Sequence, residues 1–278
     1  MSILIGNTKM KEKRISLHIA NKDRHSELAM LLQSLRTQTY QAWDLVLLDE
    51  NQLPIMMCDF LAKLLTRIKM EGHCVHLIRN EIRLGVCHAR NLLIEQDYFG
   101  NPLVCRLDDD VLLEPDYLSR LVAVIDKGYD IASGVTPLLG MPAPIRNNSK
   151  LGKIINEKKV NSKGDIIQYG DDCGVEYLYE GVYPSHEFRS CALMTRTVIK
   201  KVKYPKNLSP TGFREEAFFS FKAQSLGFTI GVDVQAKAFH LVTPSGGVRS
   251  NDYADRVRSD DAYFRKWFKE QIWNKQKK

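Results

Sequence analysis

Three consecutive aspartates, Asp108-Asp109-Asp110, follow directly on the apolar run Leu103–Leu107. Carboxylates this close raise one another's pKa, and each wants a cationic partner. A divalent cation supplies one, because Mg²⁺ or Mn²⁺ typically takes one or two carboxylates together with substrate phosphate oxygens. A solvated acidic turn is the alternative for the triplet taken alone. A second acidic pair, Asp49-Glu50, ends the apolar stretch DLVLL. A third, Glu215-Glu216, opens a helical pattern, where negative charge also suits the helix dipole. His240 closes the run KAFHL, and the glycine-containing loop after it ends in Arg249.

These groups need elements to position them, and the first half of the chain alternates between two periodicities. Ile15–Ile19, Asp44–Leu48, Val75–Ile78, Leu103–Leu107 and Ile131–Val135 read as short buried strands. Between them, Leu28, Leu31, Leu32 and Leu35 recur at helical spacing, as do Leu61, Leu64, Leu65 and Ile68. A further helix is predicted from Val86 to Asp97, and Pro115 is expected to open another. Such βα repeats imply a mostly parallel sheet covered on both faces. Ligands of these sheets bind beyond the carboxyl ends of the strands. Asp49-Glu50 and the Asp triplet both sit at those ends, so they should share one cleft.

The second half is less regular. Residues 141–183 are rich in Pro, Gly, Asn and Lys, with weak strand signals at Gly164–Tyr169 and Val175–Tyr179, and read as an inserted hairpin or loop. Phe188–Thr195 is expected to be a strand and Glu215–Leu226 a helix stopped by Gly227; Thr229–Val234 and Ala236–Phe239 are expected to be extended. From Asp252 the pattern is helical again. This divides the chain into a regular first half (14–135), a less regular second half (136–250) and a basic amphipathic tail (251–278).

The composition is ordinary for a globular protein, with 44% hydrophobic and 26% charged residues in 278. The net charge of +7 comes from the two ends, KMKEKR at 9–14 and the segment 249–278. The body between is neutral, which argues against a nucleic-acid groove. No apolar run reaches the length of a membrane span, and the opening MSILIGNTKM lacks a signal peptide's apolar core. Six widely spaced cysteines without a CxxC pair read as reduced core residues, with the cytoplasm as the expected compartment. The tail mixes Tyr263, Phe264, Trp267, Phe268 and Trp273 with lysines and arginines. Its aromatic face is expected to pack on the protein's own domain, with peripheral contact to an anionic membrane surface as the other use.

Five segments, in this order, carry a family resemblance: SLRTQTYQAWDLVLLDE (34–50), GVCHARN (85–91), LDDDVLLEPDYL (107–118), GFREEAFFSFKAQSLGF (212–228) and FHLVTPSGGVR (239–249). From about Arg14 to Arg249 the chain resembles family 2 of the inverting nucleotide-sugar glycosyltransferases, which have the GT-A fold. The resemblance implies an α/β single domain, a Rossmann-like and mostly parallel central sheet flanked by helices, with a C-terminal helical tail. It also implies a donor, foremost a UDP-sugar, a glycan or lipid-linked acceptor, and Mn²⁺ or Mg²⁺ as cofactor. Carried over residue by residue, Glu50 would accept from the nucleotide base with Asp49 in support. Asp108 would face the ribose, with Ala20, Arg90 and Asp109 on the same nucleotide-binding side. Asp110 would bind the metal that bridges the diphosphate, and His240 would complete its shell. Glu216, or failing it Glu215, would be the general base, and Arg249 would close over the phosphates.

Two other functions compete. A sugar-phosphate nucleotidyltransferase should carry a glycine-rich phosphate loop after its first strand, and ANKDRHSEL contains no glycine. A non-catalytic carbohydrate- or nucleotide-binding relative has no need of the acidic pair, the triplet and His240 together.

Overall fold

The computed structural model describes residues 12–83, 85–147, 154–169, 174–243, 246–248 and 250–276. In chain order the elements are β1 (Ile15–Asn21), α1 (His25–Arg36), β2 (Trp43–Asp49), α2 (Asp59–Met70), β3 (Val75–Arg79), α3 (Val86–Gln96) and β4 (Leu103–Leu107). Then come β5 (Val111–Leu113), α4 (Tyr117–Asp126), β6 (Ile131–Val135), β7 (Ile145–Arg146), β8 (Lys158–Val160), β9 (Ile166–Tyr169) and β10 (Glu176–Tyr177). The last are β11 (Val182–Pro184), β12 (Ala192–Thr195), α5 (Arg196–Lys201), α6 (Glu215–Ser225), β13 (Ile230–His240) and α7 (Tyr253–Phe268).

The main sheet has the order β11-β13-β6-β12-β4-β1-β2-β3, with β5 paired to β13 off this path. β4, β1, β2 and β3 run parallel, as do β6 and β13, while β12 is antiparallel to both its neighbours. This is the mostly parallel α/β architecture expected. The four leucines of α1 are wholly buried against the sheet, each contributing about 2 kcal/mol of apolar burial.

Several predicted boundaries move for local reasons. The helix expected at Pro115 begins at Tyr117, because the Pro115 carbonyl instead accepts the Thr39 N–H at 2.8 Å. The strand expected from Phe188 is ordered only from Ala192, since Ser190 sits in the left-handed region at φ 48° and breaks the pairing. The two segments around Gln235 form one strand, with a register irregularity between Val232 and Lys237. Residues 141–183 hold two small two-stranded sheets, β7 with β10 and β8 with β9. The chain then returns through β11 as an edge strand of the main sheet.

The tail is attached by its aromatic face. Phe264 and Phe268 are buried against Phe218 and Phe221 of α6, with ring centroids 5.1 Å (Phe218–Phe264) and 4.9 Å (Phe221–Phe268) apart, both edge-on. A π-helical turn, Lys269–Trp273, adds Ile272 to the same cluster. Asp260 is buried at the contact and accepts from the Ser209 N–H at 2.7 Å, the Ser209 hydroxyl at 2.7 Å and the Phe213 N–H at 2.9 Å. Asp260→Ala would strand these donors beneath the helix. It is expected to lower unfolding free energy by about 2–4 kcal/mol, read from the denaturant midpoint. Among the described residues no helix is long and apolar enough to cross a membrane.

Candidate functional site

The strand registers bring the acidic groups together. In the parallel ladder Asn21 lies opposite Asp49, and Ile19 opposite Leu107, so β1, β2 and β4 end on one edge of the sheet. Two residues past that edge, Asp109 accepts from Asn21 Nδ2 at 2.9 Å. Immediately after the triplet, β5 pairs antiparallel with the end of β13 and sets His240 opposite Val111. Leu241 N–H then donates to the Asp110 carbonyl at 2.9 Å, and His240 Nε2 stands 3.1 Å from Asp110 Oδ1. Two residues 130 positions apart in sequence thus share a hydrogen bond because a three-residue strand follows the aspartates.

All of this faces one cleft of about 470 Å³. Ala20, Glu50, Arg90, Asp108, Asp109 and Asp110 line one side of it. Glu215, Glu216 and His240 line it as well. Asp49 does not: its carboxylate accepts from the Asn51 and Ile55 N–H groups at 3.1 and 2.8 Å and pairs with Arg79 at 3.1 Å. It holds the turn that carries Glu50. Arg249 lies outside the described residues, but the adjoining Gly247 N–H donates to the Lys22 carbonyl at 2.8 Å, so this loop rests on the first strand's exit.

Each carboxylate has a distinct setting. Asp108 pairs with Arg90 and, at 3.2 Å, with Arg106. Burial pushes its pKa up, but the two guanidinium charges prevail and hold it at about 2. Asp109 is raised to about 6, chiefly by burial, which outweighs Arg24 with help from neighbouring Asp110. Burial also raises Glu50, which accepts from Asn80 Nδ2 at 2.6 Å. His240 loses basicity to burial, yet the hydrogen bond and charge of Asp110 leave its pKa raised overall.

Gly85, which also lines the cleft, sits at φ 101° before α3, and a Cβ there would lie 2.4 Å from the Pro210 Cα. That close backbone approach seats α3, with Arg90, against the loop that leads into α6. Arg214 precedes α6 at φ 72°, its guanidinium held by Asp261 of α7 at 2.8 Å. Glu215 is 3% exposed and grips Arg106 with both oxygens, at 2.7 and 2.9 Å. Glu216, one residue on, keeps 23% of its side chain exposed to the cleft.

Two arginines went unread in the sequence. Arg24, on the loop after β1, bridges Asp109 and Asp110 at 3.0 and 2.9 Å. Arg106 lies within β4 itself. A charge inside the buried run VCRL was the available signal, since such a group must be paired.

The donor set fits a hard divalent cation. Asp110 and His240 offer one oxygen and one nitrogen close together. Among the described residues no cluster of three or more His, Cys, Asp or Glu forms a shell by itself. An ion here would therefore take further ligands from substrate oxygens, as Mg²⁺ and Mn²⁺ commonly do.

Comparison with known proteins agrees with this fold. The fold is shared with Staphylococcus aureus TarS 1-349, at 14% identity and a TM-score of 0.53 over 82% of this chain and 60% of that one. It is shared with GalNAc-T7, crystallised with UDP, GalNAc and Mn²⁺, at 14% identity and a TM-score of 0.63 over 94% of this chain and 57% of that one. A mannosyltransferase from Pyrobaculum calidifontis, PcManGT in complex with GDP-Man and Mn²⁺, matches at 12% identity and a TM-score of 0.55, over 84% and 59%. The chain thus spans about 60% of the length of these structures. No protein of curated function matches the sequence. The family model for glycosyl transferase family 2 matches residues 16–203, well over half of the chain, and the protein belongs to that family.

Proposed function

We propose that the protein is a divalent-metal-dependent, inverting glycosyltransferase that moves a sugar from a nucleoside diphosphate sugar, a UDP-sugar foremost, to a hydroxyl of a glycan or lipid-linked acceptor. The observation that carries this reading is the meeting of Asp110 with His240 at 3.1 Å, in the same cleft as Glu50 and Glu216.

The division of labour follows from the chemistry of sugar transfer. Glu50 at the end of β2 accepts from the nucleotide base, and Asp108, held by Arg90 and Arg106, accepts from the ribose. Asp110 and His240 would hold the cation beside the diphosphate. When bound, that ion would supply Lewis-acid stabilisation of the negative charge building on the leaving diphosphate. Glu216, which lines the same cleft, receives the proton of the acceptor hydroxyl as its oxygen attacks the anomeric carbon. The new carbon–oxygen bond forms on the face opposite the breaking bond, whose electron pair leaves with the diphosphate. The anomeric centre is inverted. Arg249 would close over the phosphates and exclude water.

A thermal-shift screen of nucleoside diphosphates and their sugars, with and without Mn²⁺, tests the donor assignment. One diphosphate at a hundred times its dissociation constant should add about 2.7 kcal/mol of stability, and only with the metal present. No shift with any nucleotide in Mn²⁺ would overturn the reading.

A further inference from the structure

The most unusual charge in the molecule is Arg106. It sits in the middle of the sheet, opposite Ala192 of β12, and is 4% exposed. Its guanidinium is flanked by the Phe188 and Tyr204 rings, at 5.5 and 5.7 Å from their centroids. Burying a cation this deeply is costly without compensation. Its polar contacts are all at the candidate site or beside it: both oxygens of Glu215, Asp108 at 3.2 Å, Glu216 at 3.3 Å and the Tyr204 hydroxyl at 3.5 Å. An aliphatic residue would fill the strand position with no such demand.

We infer that Arg106 is a positioning residue that fastens the donor-side aspartate of β4 to the acidic pair of α6, so that base and donor are held in one fixed relation. This rests on the reading of Glu216 as the base. A planar fork suits the task, because its fixed N–H directions determine where each carboxylate sits, whereas an ammonium acts as a point charge. Nη1 serves Glu215, which anchors the first turn of α6. Nη2 serves Asp108 and Glu216 together, and both line the cleft. Asp108 keeps Arg90 as a second partner, so the donor side has support without Arg106, but Glu216 has no other ion pair among the described residues. Loss of Arg106 should therefore disturb turnover more than donor binding.

The test compares Arg106→Lys, Arg106→Met and the double variant Arg106→Met with Glu215→Gln, the last removing the buried partner charge that could otherwise unfold the protein. Nucleotide binding is measured by calorimetry with UDP and Mn²⁺, and turnover and KM by release of nucleoside diphosphate. Expected are a fall in kcat of about 100-fold in both methionine variants, partial recovery in the lysine variant, and donor KM and UDP affinity within about threefold of the parent. Folded variants that bind UDP and turn over within threefold of the parent would overturn the inference. So would a loss of UDP affinity equal to the loss of kcat, which would make Arg106 a general support of the cleft. Glu216→Gln run alongside separates the two claims. If it stays active, the base assignment falls; if it is inactive while the Arg106 variants are normal, only the positioning role falls.

Discussion

Replacing Glu216 by glutamine is expected to lower the rate of sugar transfer by about a thousandfold and to leave nucleotide-sugar affinity unchanged. The amide keeps the shape of the side chain and can still accept from Arg106 Nη2, now 3.3 Å away. It cannot take a proton. Glu215 offers no replacement, since both its oxygens are engaged by Arg106 beneath the surface of the cleft. Burial and the neighbouring Glu216 raise its pKa while Arg106 opposes them. Turnover assayed with a competent acceptor, beside calorimetry with the donor, makes the comparison. Full activity in the glutamine variant would remove Glu216 from the mechanism.

Asp110→Asn should produce the complementary phenotype. The site has one carboxylate and one imidazole to offer a cation, so converting the carboxylate to an amide removes the charged half of the set. Substitutions merely next to a metal ligand typically cost 10–100-fold in affinity, and a ligand should cost at least as much. Binding of nucleoside diphosphate in Mn²⁺ is therefore expected to weaken by about 100-fold, approaching the affinity seen in chelator. Equal nucleotide affinity in parent and variant, at every Mn²⁺ concentration, would sink the assignment. Asp109→Asn is a useful contrast, because Asp109 is turned toward Asn21 and Arg24 and not toward His240.

How much of this was legible in the chain depends on the range of the interactions. The strands and helices of the first half announce themselves through local periodicity. The parallel order then follows from chain connectivity, so Glu50 and the triplet could be placed at one edge without coordinates. The partnership of Asp110 with His240 could not be read from periodicity. It depends on β5, whose three residues lie in DDDVLLEP and look like part of a loop, and on its antiparallel pairing with the distant β13. For that contact the sequence offered only the family resemblance. Arg24 and Arg106 were missed for a related reason: each pairs with at least one carboxylate that folds onto it from 85 or more positions away. The strand proposed at Phe188 failed more locally, on the single left-handed residue Ser190. Among the cysteines, burial divides what the sequence grouped together. Cys87, Cys105 and Cys191 are buried, Cys58 is half-buried and Cys74 is exposed, while Cys173 lies outside the described residues.

The clasp between α7 and the Ser209–Phe213 loop has a consequence for biosynthesis. Asp260 holds that loop through three hydrogen bonds, and the loop leads straight into Glu215-Glu216. A nascent chain emerges amino terminus first, so β1 to β4 can pair long before Asp260 leaves the ribosome. Until then Phe218 and Phe221 lack the rings of α7, and the loop before the acidic pair lacks three of its hydrogen bonds. A nascent chain stalled ahead of α7 should thus be a sticky one that chaperones hold.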